Sequence, residues 1–151
     1  MSDRWERILD RQPVSHHDHL LDEAAKLLLG DLRTWPLPIE EIDEQTGAGI
    51  AEFFAPDAPR PSAAVLAAAL KLARWDLDRD HEAYDDFIRN RRYQESGITE
   101  GERPVLLFVS RWVLEQLLAL SDATDGRVDR RALLRLVDRV EVGLARTGEA
   151  G

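Results

Sequence analysis

Apolar residues recur at spacings of three and four in segment after segment, and no run alternates β-branched with polar positions, so helices are the only consistent reading. The pattern predicts an all-α fold, a compact bundle of five to six helices in a single domain covering residues 1–151. A short first helix is predicted over 3–11, where Asp3 caps with Glu6 and Trp5, Ile8 and Leu9 form a narrow stripe that ends before Gln12-Pro13. The second opens at Ser15, places Leu20, Leu21, Ala24, Leu27, Leu28 and Leu32 on one face, and stops at Trp35-Pro36.

Residues 38–54 keep helical spacing through Ile39, Ile42, Thr46, Ile50 and Phe53, with Gly47 and Gly49 interrupting it, so one weakened helix or two short ones are expected. Residues 55–61, Ala-Pro-Asp-Ala-Pro-Arg-Pro, form a proline-rich connector too short to separate independent domains. From Ser62 to Tyr93 a third stripe runs through Val65, Leu66, Ala69, Leu70, Ala73, Leu77, Tyr84, Phe87 and Ile88. Unbroken, it would span about 48 Å, long for a domain of this size, and a bend is expected near Asp78 to Asp80. Pro104 starts a helix over about 104–121 that is apolar almost all round and is therefore expected at the centre. The closing helix, from about Asp129 to Arg146, carries Leu133, Leu136, Val137, Val140 and Leu144 on one stripe.

Composition narrows the function classes. The 151 residues are enough for a real core, and a hydrophobic share of 44% with 32% charged residues suits a folded, soluble protein. The absence of cysteine removes disulfides, thiolate metal sites and cysteine nucleophiles, and fits a reducing, cytoplasmic location. The longest apolar run is the eight residues Ala63 to Leu70, so neither secretion nor a membrane contact is expected. The net charge of −9 argues against nonspecific nucleic-acid binding by the whole molecule. That charge is segregated: residues 1–60 hold 13 acids and 6 bases, residues 127–151 hold 4 acids and 6 bases.

Candidate chemistry is sparse. His16, His19 and Glu23 lie at helical spacings that would let them share a metal ion, or else they form an exposed polar first turn. His81 occupies the stripe between Leu77 and Tyr84, which places it in the core, or in a cleft as a general base oriented by Asp78 or Asp85. No serine or threonine sits in a nucleophile elbow. Ser121 to Ala132 resembles the loop of the EF-hand family, with Gly126 at the tight turn, Val128 at the apolar eighth position, and Asp125 and Asp129 at the fifth and ninth. The resemblance implies a calcium loop, but Ser121, Ala123 and Ala132 stand where ligands are needed, so calcium binding is expected to be absent or feeble. The segment then reads as a joint in which Gly126 turns left-handed and Asp129 caps the next helix.

Two basic features remain: Arg89, Arg91 and Arg92 at the C-terminal end of the third stripe, where a helix favours cations, and Arg127, Arg131, Arg135 and Arg139 at four-residue spacing. The ladder is a solvated face, or pairs with the acidic N-terminal half, or meets an acidic partner or nucleic-acid backbone. With no complete catalytic constellation and no phosphate-cradling loop, the sequence favours a non-enzymatic interaction or regulatory module. Its expected partner is another protein with an acidic surface, engaged through these arginines, and no cofactor is implied. Nucleic acid, within a larger complex, is the alternative, and a metal-binding or His-dependent enzyme is the third reading.

Overall fold

Ser62 caps a helix: its hydroxyl accepts a hydrogen bond from the Val65 amide at 3.2 Å, satisfying one of the free donors of the first turn. The computed structural model describes Trp5, residues 17–34 and residues 61–150, and among these it contains five α-helices, two short 3-10 turns and no strand. The helices are α1 (His17–Arg33), α2 (Ala63–Asp78), α3 (His81–Arg89), α4 (Arg103–Ala123) and α5 (Arg130–Ala150). The expected helices over 3–11 and 38–54, and the connector at 55–61 apart from Pro61, lie outside the described residues, with Trp5 the exception.

The helices assemble as the stripes require. Helix α2 lies against both α4 and α5, and α1 lies against α5. Ala68, Ala69 and Ala73 of α2 are buried, and side chains this small let the neighbouring backbones come close. Helix α4 buries Val105, Leu106, Val109, Val113, Leu117 and Leu120, chiefly against α2, while the indole of Trp5 donates to the Gln116 carbonyl at 2.9 Å. The chain is therefore an all-α compact bundle in which the apolar helix α4 packs on α2 and accepts the Trp5 indole. The stretch Glu100–Ala123, with mean hydropathy 1.4 over its best window, is the one described segment long and apolar enough to cross a membrane. Its buried face is part of the core.

The long third stripe does break where a bend was expected. Arg79 adopts a left-handed conformation (φ 58°) and closes α2, and the Asp80 carboxylate then accepts from the Ala83 amide to begin α3. Two further reversals follow, at Arg91 (φ 54°) and Gly97 (φ 84°), around the 3-10 turn Arg92–Ser96. That turn buries Tyr93 completely, with its ring edge-on to Phe87, which packs in the same manner on Trp75. Thr99 and Glu102 cap one another reciprocally and lead the chain into α4.

The joint before α5 is also as expected. Asp125 (φ 53°) and Gly126 (φ 79°) are left-handed, Val128 is buried, and the Asp129 carboxylate accepts from the Ala132 amide at 3.0 Å. Thr124 holds the turn: its buried hydroxyl accepts from the Val128 amide at 3.1 Å and lies within bonding distance of the Leu120 and Ser121 carbonyls. Thr124→Val keeps the shape and strands the Val128 donor. The expected cost is about 1–3 kcal/mol in a urea melt, and a change under about 0.5 kcal/mol would show that water satisfies this amide.

Candidate functional site

Helix α5 is fixed by one face and free on another. Leu133, Leu136, Val137, Val140 and Leu144 are buried, as their spacing requires. The opposite surface exposes Arg131, Arg135, Asp138, Val142 and Arg146, whose steps of four, three, four and four keep them on one side of the helix. Among the described residues Arg131, Arg135 and Arg146 form no ion pair. Arg127 is exposed too, but it lies in the joint rather than on α5.

Arg139 departs from the ladder. Each four-residue step on an α-helix drifts by about 40°, so two steps beyond Arg131 carry Arg139 round toward α1. There its guanidinium meets Asp22 at 2.9 Å, and the pair ties the two helices together. Arg74 does the same from α2, bonding to Asp138 and Glu141 of α5. Partial burial opposes its charge, but the hydrogen bonds to Glu141 and Asp138 outweigh that and hold its pKa above the usual arginine range. These acids of the α5 surface are thus engaged from within the molecule.

Beside this face a groove of about 410 Å³ opens between α1 and α5. Ala25 and Leu29 line it from α1, Val142 and Gly143 from α5, and the charged side chains of Asp22, Lys26, Asp138, Arg139 and Arg146 complete the lining. Gly143 makes the groove possible: a Cβ there would lie 2.5 Å from the Leu29 Cδ2, so Leu29 fills the space a side chain would take. Val142 is 51% exposed, and it and Leu118 are the two large hydrophobic residues left open among the described residues.

The second basic feature is dispersed. Arg91 sits in a left-handed turn and pairs with Glu100 at 3.3 Å, and Arg92 pairs with Asp86 at 2.7 Å and Glu95 at 3.5 Å. Arg89 ends α3 at the rim of a shallow acidic notch of about 660 Å³ that also includes Asp80, Glu82, Asp85 and Asp86. The carboxylates there are occupied in part by capping and pairing, since Asp80 caps α3 and the Asp86 carboxylate also accepts from the Asn90 side-chain Nδ2 at 2.6 Å. The three arginines therefore do not form one unpaired patch.

His81 corrects the sequence reading. The left-handed Arg79 resets the helical phase, so His81 opens α3 and is exposed rather than buried on the stripe. Its charged neighbour is Asp76, whose half-buried carboxyl is raised above the usual range by burial, with His81 opposing that shift. Neither Asp78 nor Asp85 hydrogen-bonds to His81, and neither described cleft is lined by it. Of the proposed metal ligands, His19 is exposed, Glu23 pairs with Lys26 at 3.6 Å, and His16 lies outside the described residues. Among the described residues no three His, Asp or Glu side chains gather as a metal site would need.

No family model, no curated protein and no solved structure matches this chain.

Proposed function

We propose that the chain is a non-enzymatic interaction module of the cytoplasm, regulatory in character, that binds another protein through the outer face of α5. One observation carries the reading: Arg131 and Arg135 are exposed and lack acid partners among the described residues, whereas Asp22, Asp138 and Glu141 around them are held by Arg139 and Arg74. Arginine in such a setting suits a carboxylate-bearing partner, because its planar fork bonds both oxygens and is only weakly hydrated. The nucleic-acid reading draws less support, since Arg91 and Arg92 spend their charge on local acids and the chain as a whole carries −9.

Photo-cross-linking in cells tests the proposal. A benzophenone side chain placed at position 135 is expected to trap a protein partner. The same group at position 115, on the exposed side of α4, is expected to trap nothing in common with it. Identical adducts from both positions, or none from position 135, would overturn the assignment.

A further inference from the structure

We infer that the partner presents an amphipathic helix, its apolar anchor seated in the groove between α1 and α5 and its acidic flank on Arg131, Arg135 and Arg146; this rests on the arginine-face reading above. The groove is continuous with that face, because Val142 belongs both to the exposed stripe of α5 and to the apolar side of the groove. Arg131 to Arg146 is sixteen residues, about 22 Å of straight ridge, which is the length of a short partner helix lying alongside.

The sign of the partner follows from which charges are already used. Asp138 is taken by Arg74 and Asp22 by Arg139, so the stripe's own negative charge is compensated inside the molecule. Arg131, Arg135 and Arg146 are not compensated among the described residues. What remains is an apolar trough with Arg146 in its lining and Arg131 and Arg135 farther along the same exposed stripe, and its complement is an apolar ridge continued by carboxylates. A second copy of the chain meeting this face about a two-fold axis would set the same arginines against each other.

The test uses a synthetic peptide of about sixteen residues, leucines at helical spacing flanked by glutamates, titrated into the isotopically labelled full-length protein and followed by NMR. Amide shifts are expected at Leu29, Arg135, Val142 and Gly143. A peptide with lysine for glutamate, or serine for leucine, is expected to produce none of them. Val142→Asp is expected to weaken binding about tenfold or more. Val142→Ser serves in its place if the aspartate lowers the unfolding midpoint.

Shifts confined to Arg131 and Arg135, with both Val142 variants binding normally, would overturn the groove and leave the arginine-face reading standing. No shift at the arginines with any peptide, together with a position-135 cross-link to a partner, would overturn the helix and again spare that reading. Equal binding of the lysine peptide would overturn the charge assignment. A dimer in light scattering that Val142→Asp dissolves would assign the groove to a second copy, and displacement of the peptide by an oligonucleotide would assign the face to nucleic acid. Either result overturns the inference.

Discussion

Trp5→Ala is expected to lower the folding free energy by about 3–5 kcal/mol, the range for removing a large aromatic side chain from a packed interior. The side chain is 1% exposed, and its indole N–H donates to the carbonyl of Gln116, more than a hundred residues away along the chain. Burial and hydrogen bonding can be separated. Trp5→Phe keeps most of the apolar contact and loses only the donor, and the Gln116 carbonyl, in the body of α4, sits where the helix ladder also supplies one. The phenylalanine variant is therefore expected to cost less than half as much as alanine. Urea melts of the three proteins check this order. An alanine variant within about 1 kcal/mol of the wild type would show that Trp5 does not anchor α4.

Tyr93 is the second residue on which much of the fold depends. Its ring is completely buried against Phe87, and its hydroxyl donates to the Glu100 carboxylate at 2.7 Å, joining the two 3-10 turns that precede α4. Alanine at this position is expected to cost about 3–5 kcal/mol. Phenylalanine is expected to cost about 1 kcal/mol, because Glu100 keeps its bonds from Gln94 and Arg91 and is open to water.

The two Tyr93 variants also differ in their response to pH. Burial, reinforced by Glu100, raises the Tyr93 phenol above the ordinary tyrosine value, so the folded protein holds this proton more firmly than the unfolded chain. Below about pH 10 both states are protonated and the term is constant. As pH rises further the unfolded chain ionises first, and stability falls until the folded phenol ionises as well. Tyr93→Phe is expected to remove part of that alkaline decline. Tyr84, raised chiefly by burial with Asp76 adding to it, keeps the remainder. Unfolding midpoints between about pH 8 and pH 11 measure the difference, and parallel declines in wild type and variant would contradict the assignment.

The helices were legible in the sequence because an amphipathic helix repeats its burial every three or four residues. The stripes of α1 and α5 are buried where that period puts them, whereas α4, apolar almost all round, keeps one side open at Leu118. Capping was legible for the same local reason, as Asp129 and the Gly126 joint show. Phase across a break was not. One left-handed residue, Arg79, carries the chain into a new helix, and a period counted through it assigned His81 to the wrong side.

The arginine ladder divides between two of its readings, because Arg139 takes the pairing with the acidic N-terminal half while Arg131 and Arg135 stay exposed. Four-residue spacing looks like one face in a sequence, but it drifts, and Arg139 ends on α1 rather than in solvent. Its partner Asp22, and the bonds from Arg74 to Asp138 and Glu141, depend on which helices become neighbours. No local pattern encodes that. Arg91 and Arg92 were read as the cationic end of a helix, whereas the chain reverses at Arg91 and brings Glu100 and Asp86 to them. Gly143 lets Leu29 of α1 pack where a side chain would stand, a contact that depends on which helices become neighbours.

The claim that the α5 face binds a partner protein is tested most directly by titrating the partner trapped at position 135 against the wild type and the Arg131→Glu, Arg135→Glu double variant. Both substitutions fall on exposed side chains that form no ion pair among the described residues, so the urea midpoint is expected to stay within about 0.5 kcal/mol of the wild type. The wild type is expected to bind with an affinity that falls as salt is added, and the reversed face is expected to lose binding by about a hundredfold or more. Equal affinity at equal stability would contradict the claim.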